Sequence, residues 1–147
     1  MKRQTLFTIG YQGMTQESFF NKILSNGVKI VIDVRAIPHS RKKGFSKKGL
    51  ESRANELGLK YEHIGSLGTP DDIRKAFKLS GNFEDFAGRY LATIAHEDDL
   101  LNDLSQEILK SVCCLLCYEQ MPSECHRSLV AGEIAKRIPA PLQVLHI

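Results

Sequence analysis

The chain has 147 residues, 42% hydrophobic and 25% charged, with a formal net charge of +3. A chain of that length buries roughly 70% of its unfolded surface, so stability requires neither disulfide nor metal staples. The balance is that of a globular protein, and no apolar stretch approaches the roughly 20 residues of a bilayer-spanning helix, so no membrane partner is expected.

The start, MKRQTLFTIG, has a basic pair followed by a short alternating run without a small-residue cleavage site, and reads as a first strand, not a signal peptide. A strand is predicted over residues 5–11, after which Thr15 caps a helix with Phe19, Phe20, Ile23 and Leu24 on its apolar face and Gly27 at its end. KIVIDVR, 29–35, is β-branched and almost continuously apolar, as in a strand covered on both faces of a parallel sheet. A helix from near Ser46 to Gly58 and a short strand in LKYEHI follow. Helices are predicted over 71–79, 82–96 and 97–110; the middle one carries Phe83, Phe86, Tyr90 and Ile94 on one side, a core pattern. SVCCLLCY is a buried strand, a helix runs over 125–137, and LQVLHI is the last strand. Strands alternating with helices predict a single α/β domain over 1–147, a three-layer sandwich with a mostly parallel central sheet and flanking helices.

Charge is unevenly spread. Residues 34–50 hold six basic residues and no acid, while residues 90–109 hold acids and no Lys or Arg, so the molecule is electrostatically two-sided. Of the four cysteines, Cys113, Cys114 and Cys117 crowd one apolar segment, unlike a disulfide framework, and reduced thiols with a cytoplasmic address are expected.

In open α/β sheets ligands bind beyond the carboxyl ends of the strands, where helix N-termini present free N–H groups. Four strand ends deliver polar or glycine residues there: Gly10, Tyr11 and Gly13; Asp33 and Arg35; His63, Gly65 and Gly68; and the segment from Cys117 to Arg127. Glycine and polar residues fill turns in any fold, and Asp33 with Arg35 also reads as an ordinary ion pair. CYEQMPSECHR is harder to dismiss, because it gathers two thiols, carboxylate, imidazole and guanidinium.

Three chemistries compete for it. A metal site would use Cys117, Cys125 and His126 with His39 or His63. Structural zinc usually shows a second close pair, missing here, and Cys114 and Cys117 point to opposite faces of a strand, so no metal or other cofactor is expected. A reactive thiol would be Cys125, at or near a helix N-cap where the dipole and Arg127 favour thiolate, or Cys117; His126 would act as acid or base oriented by Glu119, with Asp33 a further proton-transfer candidate. Against this, buried cysteines are common small hydrophobes, and Cys113 and Cys114 fit that description. An anion pocket would use Arg35, Arg41 and Arg127, the basic loop SRKKGFSKKG with Ser40 and with Phe45 stacking on a base, and Tyr11 at the same edge. The plain alternative for the loop is a solvated basic face.

TIGYQG, IDVRAIPHSRKKGFSKKGL, YEHIGSLG and LCYEQMPSECHRS together resemble the family catalogued as domain of unknown function 488, across nearly the whole chain. The resemblance implies a compact bacterial or archaeal α/β protein with Asp33, Arg35, Ser40, Arg41, Phe45, Cys117, Glu119, Cys125, His126 and Arg127 at its characteristic motif positions, and it implies no particular activity. VIDVR and a strand-end cysteine followed by an Arg-Ser pair also look like the layout of rhodanese domains, which would make Cys117 a sulfur carrier; the stretch from Cys117 to Arg127 is long beside the tight anion-cradling loop of a rhodanese. The expectation is a cytoplasmic protein binding a phosphate-bearing ligand, nucleotide or nucleic acid, at the carboxyl edge, with catalysis left open. The alternatives are a noncatalytic nucleic-acid-binding module and a rhodanese-like sulfur transferase.

Overall fold

Apolar runs with few polar interruptions become central strands, because only a strand covered on both faces can bury them completely. The computed structural model describes residues 4–147, and the basic pair Lys2 and Arg3 lies outside the described residues. The elements in chain order are β1 (Gln4–Gly10), α1 (Gln16–Ser25), β2 (Ile30–Asp33), α2 (Lys47–Glu56), β3 (Lys60–His63), α3 (Asp71–Ser80), α4 (Phe83–Ile94), α5 (Asp98–Lys110), β4 (Cys113–Cys117), α6 (Arg127–Ala135) and β5 (Leu142–His146). The sheet is parallel throughout, in the order β3-β2-β4-β1-β5.

Alternation along each strand divides the core in two. Leu6, Ile30, Ile32, Cys113 and Leu115 pack against Tyr90, Ile94, Leu104, Ile108, Val130 and Ile134, which belong to α4, α5 and α6. Phe7, Ile9, Val31, Cys114 and Leu116 pack on the opposite side against Phe19, Ile23, Leu50 and Ala54 of α1 and α2. The result is the expected three-layer α/β sandwich. Cys113 and Cys114 are core side chains on opposite faces of β4.

Local chemistry accounts for most boundaries. Thr15 and Ser18 close a reciprocal capping box at the start of α1, and Gly27 follows the helix at a φ of 73°, a left-handed turn that glycine adopts at little cost. Leu24, expected on the apolar face of α1, is instead 42% exposed. The last helix starts at Arg127, later than expected, because a 3-10 turn at Pro122–Glu124 intervenes and Cys125 is extended. Among the described residues no helix is long and apolar enough to cross a membrane.

The connections leaving β1 and β2 cover one face, and those leaving β3 and β4 cover the other. The chain therefore diverges above neighbouring strands β2 and β4, which opens a crevice at their carboxyl ends.

Candidate functional site

The site is built where β1 and β4 end side by side. Gly10 pairs with Cys117 in parallel register, and the pairing continues as the Tyr11 and Gln12 N–H groups donate to the carbonyls of Cys117 and Tyr118 at 3.1 and 2.8 Å. A side chain at position 10 has no room: a Cβ there would lie 1.7 Å from the Glu119 carbonyl oxygen and 2.6 Å from Arg127 Nη1. Gly10→Ala is accordingly expected to destabilise the protein by about 3 kcal/mol, the upper end of the overpacking range, with a matching fall in the urea midpoint. An unchanged midpoint would contradict this packing.

Arg127 fills the space that Gly10 leaves. The residue is 1% exposed, and its guanidinium makes several bonds. Nε donates to Thr8 Oγ1 at 3.1 Å, Nη1 to Cys117 Sγ at 2.9 Å and to the Glu119 carbonyl, and Nη2 to the Gln120 carbonyl at 2.8 Å. One side chain thus ties β1, the end of β4 and the following loop together. An arginine so occupied has little left for an external anion, which corrects the expectation that Arg127 holds a phosphate.

The sulfurs of Cys117 and Cys125 and a carboxylate oxygen of Glu119 lie within 4.8 Å of one another. His126 Nε2 is 2.7 Å from the Val34 carbonyl, which only accepts, so the ring proton sits on Nε2. That leaves Nδ1 as an acceptor 3.7 Å from Cys125 Sγ. The orienting group of His126 is therefore the Val34 carbonyl and not Glu119, because β2 ends beside α6. The surroundings of Cys125 do not favour the expected thiolate: burial pushes its thiol well above the ordinary cysteine range, and neighbouring Cys117 and Glu119 push in the same direction. Burial likewise drives the Cys113 thiol up to about 12.

Burial lowers the His126 imidazole below its ordinary 6.5, and the fold holds it neutral. As pH falls below 6.5 the unfolded chain takes up a proton that the folded chain does not, so stability present above 6.5 is lost on acidification. One such group gives a slope of up to about 1.4 kcal/mol per pH unit. His146 is also lowered, by burial and by Arg127, and adds to the slope. His126→Gln is expected to flatten the acid limb of unfolding free energy against pH; an identical limb would exclude His126 as its source.

A cavity of about 360 Å³ opens over these groups. Tyr11, Arg35, Cys117, Glu119, Cys125 and His126 line it, as does His39, weighed from sequence only as a metal ligand, together with residues that sequence reasoning did not select: Ala36, Ile37, Thr69, Asp71, Arg74, Phe77, Phe86 and Tyr118. Phe86 had read as core, and only the convergence of these residues above the sheet makes them wall. Thr69 Oγ1 is buried with no hydrogen-bond partner among the described residues.

Asp33, Ser40, Arg41 and Phe45 are not among the residues that line the cavity, and Arg35 lines it while bound on its other side. Asp33 is fully buried and receives Arg35 Nε and Nη2 at 2.9 and 2.7 Å and the Tyr61 hydroxyl, which removes it from proton transfer in the cavity. Arg35 Nη1 also donates to the Phe45 carbonyl at 2.7 Å and to the Tyr11 hydroxyl at 3.2 Å, so Arg35 braces the loop instead of standing free. Phe45 is 0% exposed and stacks on Tyr11 at 4.5 Å, which leaves no face for a base. Ser40 and Ser46 hold the loop through the Ser40 N–H to Ser46 Oγ bond of 3.1 Å and the return bond from Ser46 Oγ to the Ser40 carbonyl. Arg41 is exposed on the loop.

A family model described as "Domain of unknown function DUF488" matches residues 15–134. No curated protein matches the chain, and no solved structure matches it.

Proposed function

Because the chain belongs to the DUF488 family, whose description carries no activity, we propose its function from the site itself: thiol chemistry on a small, partly apolar ligand, with Cys117 as nucleophile. The observation that carries this reading is that Cys117 lines the cavity while its sulfur accepts from Arg127 Nη1 at 2.9 Å. A cation bonded to sulfur supports negative charge there, and the thiolate is the reactive form. The cavity adds the usual features of a small-molecule site, aromatic and aliphatic walls with a few convergent polar groups. Four free cysteines support a reducing compartment, and we place the protein in the cytoplasm.

Iodoacetamide labelling of the native protein near neutral pH, followed by peptide mapping, tests the proposal. Cys117 is expected to label first and Cys125 more slowly, with Cys113 and Cys114 protected until unfolding. Equal, slow labelling of all four would sink the idea. The sulfur-transferase form of the same reading adds a persulfide on Cys117 after incubation with thiosulfate.

A second reading, binding of a phosphate-bearing polymer, is favoured by one observation. Arg41, Lys42, Lys43, Lys47 and Lys48 follow β2 at the same edge, and among the described residues none has an acidic partner within salt-bridge distance. Exposed Tyr118 offers a ring beside the cavity. Affinity for duplex DNA should then fall with salt at about 0.9 log units per neutralised phosphate and weaken in Arg41→Ala/Lys42→Ala/Lys43→Ala. Absence of binding at low salt removes this reading.

A further inference from the structure

The proposed nucleophile needs only one thiol, yet the cavity holds two. Cys125 Sγ lies within 4.8 Å of Cys117 Sγ, both residues line the cavity, and both are free thiols. Cys125 also has equipment of its own: the Arg127 N–H points at its sulfur at 3.4 Å, and the unprotonated Nδ1 of His126 stands at 3.7 Å. A thiol with a fixed base beside it, facing a second thiol across a cavity, is placed to attack whatever forms on that second sulfur.

We infer that Cys117 and Cys125 act as nucleophile and resolver in the reduction of small-molecule disulfides bound in the cavity. The inference rests on Cys117 being the nucleophile. In the first step the Cys117 thiolate attacks one sulfur of a disulfide R–S–S–R′; the Cys117–S–R bond forms, the S–S bond of the substrate breaks, and R′S⁻ leaves and takes a proton from water. In the second step Cys125 gives its proton to His126 Nδ1 and its sulfur attacks Cys117 Sγ. The Cys117–Cys125 disulfide forms, the bond from Cys117 to SR breaks, and RS⁻ departs with the proton held by His126. The substrate has gained two electrons from the protein pair, one proton from Cys125 by way of His126 and one proton from water. Two equivalents of a low-molecular-weight thiol reduce the pair again by exchange.

The order of events follows from the surroundings of each sulfur. Arg127 Nη1 meets Cys117 directly, whereas Cys125 is kept protonated by its burial and by its neighbours and needs His126 to release it. Closing the bond requires the sulfurs to approach to about 2.05 Å. Cys125 lies on the extended link between the 3-10 turn and α6, outside regular helix or strand. A cavity of about 360 Å³ suits a disulfide of amino-acid size and excludes a folded protein.

The test reacts the reduced full-length protein with 2-hydroxyethyl disulfide, quenches with acid and reads intact mass and peptide map. Wild type is expected to end as an internal Cys117–Cys125 disulfide with two equivalents of mercaptoethanol released. Cys125→Ser should stop at a mixed disulfide on Cys117 with one equivalent released, and Cys117→Ser should yield neither product. His126→Asn should slow the second step about 100-fold or more and the first step much less. Wild type stopping at the mixed disulfide would overturn the inference and leave the Cys117 nucleophile standing. Failure of Cys117 to react with either the disulfide or iodoacetamide would overturn both. Stoichiometric zinc held by Cys117, Glu119 and Cys125 in the purified protein would also overturn the inference, by assigning the pair to a metal.

Discussion

Arg127→Ala is expected to lower the unfolding free energy by about 3–5 kcal/mol, read as a fall in the urea midpoint at unchanged slope. The side chain donates to Thr8 Oγ1 and Cys117 Sγ in buried bonds and to the carbonyls of Glu119 and Gln120 in part-buried ones. Each buried acceptor left stranded costs about 1–3 kcal/mol, and removing the long side chain adds an unfilled volume. Relief from holding a buried guanidinium offsets part of the loss, which is why the sum stays well below the product of these figures. Arg127→Lys should recover little, because one ammonium cannot reach Thr8, Cys117 and Gln120 together. Both variants should also slow labelling at Cys117. A loss under about 1 kcal/mol would mean that water replaces the guanidinium, contrary to the closed packing around Gly10.

The second large effect is expected at Asp33. Asp33→Asn keeps the shape of the side chain but leaves the Arg35 guanidinium buried without a counter-charge, and the expected cost is about 3–5 kcal/mol. Arg35 has no other carboxylate within salt-bridge distance among the described residues, and its remaining bonds are to the neutral Tyr11 hydroxyl and Phe45 carbonyl. The Tyr61 hydroxyl also donates to Asp33. In Asp33→Asn/Arg35→Met the stranded charge is gone, so the double variant should be more stable than Asp33→Asn alone. A double variant as unstable as the sum of the single losses would show that the two residues act independently.

These two arginines mark the division between what is local and what is not. The alternation of apolar strands and amphipathic helices, the cap at Thr15, the left-handed turn at Gly27 and the core placement of Cys113 and Cys114 were all legible in the chain. Each depends on residues a few positions apart, where the 2.0 and 3.6 periods and turn chemistry act. Resemblance of the motifs likewise identified the family. The strand-end rule also brought Tyr11, Arg35, Cys117, Glu119, Cys125 and His126 to one edge, where they line one cavity.

Their partners were decided by tertiary structure. Gly10 and Cys117 are distant in the chain and meet only because β1 and β4 pair, and that meeting turns Arg127 from an anion-binding candidate into an internal brace. Phe45 became core instead of a stacking face because the basic loop folds back onto Tyr11. Cys125 is kept protonated because burial and its neighbours outweigh the nearby helix N-terminus, and His126 is turned by a carbonyl from β2. A residue's type determines which bonds it is able to make; desolvation and the supply of partners, which long-range packing sets, decide which of them it makes.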